Sequence, residues 1–417
     1  METIKFIIYN ICLLLGFLIY NFFKILFGKF HKGTLYRFGN FNQAILESGR
    51  NIWIHAVSVG ELNAIEGLIQ RLKSQYPQYQ LVISTTTKNG HELASKNFKN
   101  DVVVWAPLDI TYAVKKTLRK IKPVIYLTVE TEIWPNLIRY LKLAQCPIIQ
   151  INGRISDVSY EGYGWIKCFI KDAISKISLF SMQSQNDAQK IIKLGAEKNR
   201  VKVLGNLKFD QVSKENSPQF ALPKEYDWWI AGSTHPGEEQ IIYDLFKALL
   251  FEFPNLRLLL APRHVERTSE VLNMIDSEGF IPVKFSQMNS IQIGKDSIVV
   301  LDTIGQLRTL YQFAKVVFVG KSLVGQGGQN IIEPATFGKP IVVGPYMQNF
   351  QDVVDLFLMK NAIIQVKDSN ELFKKVKELL LDAQQAQRLG ESALKVVQEN
   401  RGATQRTLEE ISKFLPI

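Results

Sequence analysis

Short apolar, mostly β-branched runs alternate with longer stretches of helical period, and the alternation occurs twice along the chain. The first series predicts strands at 52–57, 81–84, 102–105, 124–129, 147–151, 179–182 and 201–204. Several are apolar throughout, which suits a parallel sheet covered by helices on both faces. Between them, 61–74 places Leu62, Ile65, Leu68, Ile69 and Leu72 on one helix face. After a polar stretch with Asn206, Asp210, Ser213, Asn216, Ser217 and Pro218, the pattern restarts, with strands at 228–231, 257–261, 297–301, 316–319 and 340–343. The expected fold is α/β, with two doubly wound Rossmann-like domains, and 417 residues suffice for both.

The N-terminus adds a different element. Between Lys5 and Lys24 no charge interrupts the chain, and as a helix these 18 residues reach about 27 Å, close to the thickness of a bilayer's hydrocarbon core. A cleaved signal would have a shorter apolar core and small residues at its end, which 28–32 does not offer. A transmembrane or membrane-anchoring helix is therefore expected. Lys24, Lys29, Lys32 and Arg37 follow it while only Lys5 precedes it, which puts the body in the cytoplasm. The expected organisation is an anchor at 1–32, a first domain at 33–205, a linker at 206–224, a second domain at 225–390, and a C-terminal helix at 391–417 packing back toward the first domain.

A net charge of +11 points to anionic partners or simply to solubility. Cys12, Cys146 and Cys168 have no C-x-x-C or zinc-ligand spacing, so neither a disulfide framework nor a zinc site is indicated. The histidines form no metal motif, and no metal site is expected. Gly320-Lys321-Ser322 resembles the end of a phosphate loop, but Lys315 stands where that loop requires glycine. The glycines at 325, 327 and 328 lack dinucleotide-binding spacing.

In doubly wound sheets, ligands bind outside the carboxyl ends of the strands. Polar corners occur there at 58–61, 84–89, 130–134 and 152–154, then at 232–239, 262–267, 302–306 and 325–334. In the second series, Ser233 and Thr234 can cap a helix or donate to an anion. Arg263 can grip a phosphate, and Glu333 can accept from ribose hydroxyls. The combination fits a nucleotide.

The segments "WIHAVSVGELNA", "STTTKNG", "APLD", "ETEIWPNLI", "NGRIS", "GNLKFD", "LAPRHVER", "DTIGQL" and "GGQNIIEPA" resemble, in order, those of bacterial 3-deoxy-D-manno-octulosonic acid (Kdo) transferases. The resemblance runs from about residue 33 to 400. It implies a GT-B enzyme with an interdomain cleft that moves Kdo from CMP-Kdo to a lipid A precursor (lipid IVA), with inversion and without a cofactor or catalytic metal. The implied setting is the cytoplasmic side of the inner membrane; nucleic acid is not an expected partner. A nucleotide-sugar epimerase could share the architecture but would not need a lipid anchor. A non-catalytic binding protein would have no use for the retained carboxylates.

The resemblance implies that Glu61 is the proton acceptor and that Glu132 and Lys208 stabilise the transition state. For CMP it implies Pro262, Arg263, Ile304, Gly305, Gln306, Asn330, Ile331, Ile332 and Glu333. On position alone, Glu61 is a first-turn carboxylate, which the helix dipole would keep ionised with a lowered pKa. The chain departs from the common family pattern at Ile304, Gln306, Gln329, Ile331 and Ile332. If those segments hold the nucleotide mainly through backbone groups, the changes are tolerable.

Overall fold

A computed structural model describes residues 2–27, 33–41, 50–165, 167–210, 221–290, 293–325 and 327–415. Two compact units emerge: Met1–Gln211 with Arg401–Ile417, and Val212–Asn400. Of the stretch read as a linker, 211–220 lies outside the described residues.

The first unit holds seven parallel strands: β1 (Asn51–His55), β2 (Gln80–Thr85), β3 (Val102–Trp105), β4 (Pro123–Val129), β5 (Ile148–Gly153), β6 (Leu179–Met182) and β7 (Val201–Val203). Their order is β3-β2-β1-β4-β5-β6-β7, so the direction of winding reverses between β1 and β4. Successive residues of β1 serve opposite faces: Ile52 and Ile54 pack in one core, Trp53 in the other. This two-sided burial is why the strand carries an unbroken apolar run. The helix Ala403–Ser412 returns to this unit, burying Leu408 and Ile411 in the same core as Leu62 and Leu68. Asp210 caps its start, accepting from the Gly402 and Thr404 amides at 2.7 and 2.6 Å.

The second unit holds β8 (Asp227–Thr234), β9 (Leu256–Pro262), β10 (Ile281–Lys284), β11 (Ser297–Val300), β12 (Ala314–Val319), β13 (Ile341–Val343) and β14 (Ile364–Gln365). The order is β10-β11-β9-β8-β12-β13-β14, with the reversal between β8 and β12. The two strands that sequence patterning does not announce, β10 and β14, are both edge strands. Residues 391–400 complete the helix Ala383–Asn400 within this unit.

The apolar N-terminal segment is one helix, Glu2–Leu26, long and apolar enough to cross a membrane.

Candidate active site

In the first unit, the corner after β1 and the corner after β4 meet at the winding reversal. Ser58 caps the helix Val59–Gln75, so Glu61 is its third residue rather than its first. The Ser58 hydroxyl accepts from the Glu61 amide (3.4 Å) and donates to Glu61 Oε1 (3.0 Å), while the Val57 amide donates to Oε2 (2.8 Å). This reciprocal arrangement is a variant of the capping box, with the carboxylate reaching the amide one residue before the cap, and it sets the carboxylate in one place. The loop after β4 brings two more carboxylates: Glu130, held at φ 55°, and Glu132, which accepts from the Trp134 indole before Pro135 opens the next helix.

Packing these acids together reverses the expected electrostatics. Burial first, then the charges of Glu130 and Glu132, raise the Glu61 pKa to about 8 against the lowering bonds from Val57 and Ser58. The sequence-based expectation of a lowered pKa is therefore corrected: a helix terminus acts on one turn, whereas desolvation and two like charges act on the same carboxyl at once. Burial likewise lifts Glu132 to about 7, with Glu130 adding to the rise and Arg37 opposing it. A carboxyl titrating near neutrality is suited to accept a proton from an alcohol, because its basicity matches the working pH.

Glu130 and Trp134 lie in the 130–134 corner that patterning marks, whereas Arg37 is a member of this cluster that patterning does not place there. Arg37 comes from a segment without motif character, and its Nε–H donates to the Ala106 carbonyl at 3.2 Å. Arg37, His55 and Trp134 line a small cavity. His55 is held neutral there, its pKa pushed down to about 4 by burial while Nδ1 sits 3.0 Å from Ser84 Oγ.

Lys208 occupies another part of the same unit. It rides on a short 3-10 turn, Leu207–Asp210, whose Leu207 and Phe209 are buried, so its backbone belongs to the core rather than to a linker. The turn is tied to the carboxyl end of β5, where Asn152 Oδ1 accepts from the Leu207 amide at 2.9 Å.

In the second unit, the corners after β8 and β12 are locked by a carboxylate. Glu238 is fully buried and accepts from the amides of His235, Lys321, Ser322, Leu323 and Val324 at 2.7–3.4 Å. Gly320 permits the close approach: a Cβ there would meet the Ser233 carbonyl oxygen at 2.6 Å. Pro262 ends β9, and Arg263 follows it with an exposed side chain and its amide bonded to the Thr234 carbonyl at 2.9 Å. Asn330 accepts from the Ile332 amide at 3.0 Å and donates to Glu333 at 3.3 Å. Burial raises the Glu333 pKa, opposed by Arg308, Asn330 and Arg263, so Arg263 and Glu333 lie within reach of each other's fields. Ile331 and Ile332 bury their side chains. Ile304 is open to solvent and Gly305 takes φ 87°, on the corner after β11. His235 and His264 stand 5.9 Å apart, and Lys321 and His264 both help to lower the His235 pKa, after burial. The edge is thus rich in cationic and donor groups. Among the described residues, no group of three or more His, Cys, Asp or Glu could hold a metal ion.

Two parallel seven-stranded sheets in separate units, with polar corners at each winding reversal, define the GT-B class of fold. Two solved structures share it: S. aureus MnaA with UDP (TM-score 0.57, 14% identity, covering 88% of this chain and 96% of that one) and Acinetobacter baumannii MurG (TM-score 0.56, 12% identity, 87% and 99%). The family model for "3-Deoxy-D-manno-octulosonic-acid transferase (kdotransferase)" matches residues 32–211. The 3-deoxy-D-manno-octulosonic acid transferase of Haemophilus influenzae is 32% identical over 387 residues, covering 91% of this chain and 90% of that protein. The chain belongs to the Kdo transferase family of glycosyltransferases.

Proposed function

We propose that this enzyme transfers Kdo from CMP-Kdo to a lipid A precursor, lipid IVA, with inversion, at the cytoplasmic face of the inner membrane. The observation that carries the reading is the buried acid cluster, with Glu61 titrating near 8 beside Glu130 and Glu132. In the proposed reaction an acceptor hydroxyl oxygen attacks the anomeric carbon of Kdo. Glu61 takes the hydroxyl proton, the new glycosidic C–O bond forms, and the bond from the anomeric carbon to the phosphate oxygen breaks as CMP departs. Attack opposite the leaving group inverts the centre.

Glu132 and Lys208 stabilise the charge that develops during transfer. Trp134 donates to Glu132 and fixes its orientation, while Arg37 favours its ionised form. Unit 1 then serves the acceptor and unit 2 the donor nucleotide. Arg263 meets the phosphate. Pro262, the Ile304–Gly305–Gln306 corner and Asn330 to Glu333 frame the rest of CMP, with Ile331 and Ile332 acting through their backbone. The helix Glu2–Leu26 keeps the enzyme with its lipid substrate.

Glu61→Gln tests the assignment. Transfer should fall by about 10²–10⁴-fold, the usual contribution of a general base. CMP affinity, measured by calorimetry, should stay within about twofold, since Glu61 belongs to the other unit. Retained transfer would remove Glu61 from the mechanism.

A further inference from the structure

The apolar helix Glu2–Leu26 does not stand apart from the first unit. Phe6, Tyr9, Asn10, Leu13, Phe17, Asn21 and Lys24 are the less exposed positions along it, and they recur every three or four residues. This stripe runs over 19 residues, about 27 Å of helix, against a hydrocarbon core about 30 Å thick. Contacts to the rest of the first unit run from Phe6 to Phe17, about half the depth that a membrane crossing would need.

The stripe is held by polar bonds as well as by packing. The Tyr9 hydroxyl donates to Asp109 Oδ2 at 2.9 Å, and the same carboxylate accepts from the Asn136 and Leu137 amides at 3.0 and 2.7 Å. Asn10 accepts from the Thr111 amide at 2.7 Å and from Asn136 Nδ2 at 3.2 Å. Neither of the two helices that start there, Thr111–Ile121 and Pro135–Leu143, has a side-chain cap from its own N-cap residue. Asn10 and Asp109 supply the missing acceptors. Arg139 stacks over the Phe6 ring at 4.4 Å, and Phe17 meets Phe38 edge-on at 5.4 Å. A perpendicular crossing in this docked state would draw Asp109, Asn136 and Arg139 into hydrocarbon, where charged and polar groups are strongly disfavoured.

The opposite face has a different character. Ile7, Ile11, Leu14, Leu18, Phe22 and Ile25 are each 39–64% exposed. The neighbouring helix Thr111–Ile121 carries Lys115, Lys116, Arg119 and Lys120, and the exposed Tyr112 lies beside them. An apolar helix face bordered by cations and an aromatic residue matches one leaflet with anionic headgroups.

We propose that the helix Glu2–Leu26 lies in a single membrane leaflet, clamped to the first unit through Tyr9 and Asn10, so that both ends of the chain remain on one side of the bilayer. This rests on the membrane association proposed above and is independent of the sugar transferred. It assigns a use to the polar residues inside the apolar run: they hold the helix on its side.

The test uses the full chain carrying a protease-cleavable tag at each end, expressed in bacteria, with inverted and right-side-out inner-membrane vesicles prepared. Both tags should be cut in inverted vesicles and both protected in right-side-out ones. An N-terminal tag protected where the C-terminal tag is cut would overturn the one-leaflet arrangement. Recovery in the soluble fraction would overturn membrane association itself. The combined Tyr9→Phe and Asn10→Leu variant should raise protection of the N-terminal tag in inverted vesicles at least fivefold, because the freed helix is long enough to cross. Unchanged protection would show that the polar clamp is not what holds the helix.

Discussion

Each unit places a buried glutamate at the point where its sheet reverses winding, and the two are used in opposite ways. Glu238 in the second unit is surrounded by five backbone amides, which consume its acceptor capacity and bind two strand corners together. Glu61 in the first unit has one backbone amide and one hydroxyl, and it faces two other carboxyls. Donors stabilise the charged form of a carboxyl, whereas burial beside like charges opposes it. The same residue type at the same topological position is therefore a structural clamp in one unit and a titrating group in the other. What separates them is the loop that comes to meet each one: a glycine-bearing turn offering amides after β12, and a turn carrying Glu130 and Glu132 after β4.

Substitutions on the two sides should separate these uses. After Glu61→Gln, the largest expected effect is that of Glu132→Gln, which should lower kcat by about 10²–10³-fold, the scale of one electrostatic stabiliser, with CMP affinity unchanged by calorimetry. A loss of CMP affinity instead would place Glu132 on the nucleotide side. Glu238→Ala should act through folding. Each buried amide left without an acceptor costs about 1–3 kcal/mol, so urea unfolding should show a destabilisation of several kcal/mol, with CMP binding weakened as the 320–324 turn loosens. A variant as stable as the native protein would contradict the clamp.

Arg263→Ala should weaken donor binding by about 10–100-fold, as expected for the loss of a charge-assisted hydrogen bond, seen as a raised KM with kcat little changed. The smallest effect belongs to Arg37→Met. Without the guanidinium, Glu132 should titrate at higher pH, and the pH dependence of transfer should move in the alkaline direction. A profile that stays in place would separate Arg37 from the cluster.

Much of the fold is legible in the sequence because central parallel strands are buried on both faces and keep continuous apolar runs, as at Ile52 to Ile54 and Ile341–Val343. Ile281–Lys284 escapes that signal: it is an edge strand with Ile281 exposed, so no unbroken run develops. Ile364–Gln365 is too short to register.

At the site, the corner holding Glu61 can be located from pattern, but its titration cannot. The groups that raise its pKa lie about 70 residues further along, and only the pairing of β1 with β4 brings them together. Lys208 shows a similar limit. A polar surrounding sequence suggests a linker, while the buried Leu207 and Phe209 and the bond to Asn152 make the turn part of the first unit. Tyr9 and Asn10 read as isolated polar positions in an apolar run until their partners at 109, 111 and 136 are in view.

The pH profile of transfer tests the central claim that the first unit supplies the base. Glu61 is raised to about 8, so its carboxyl is protonated below that pH and able to accept a proton only above it. Measured as kcat/KM with CMP-Kdo and lipid IVA, activity should rise through about pH 8 to a plateau. A flat profile between about pH 6 and 9, or activity falling as pH rises, would contradict a buried glutamate acting as the base.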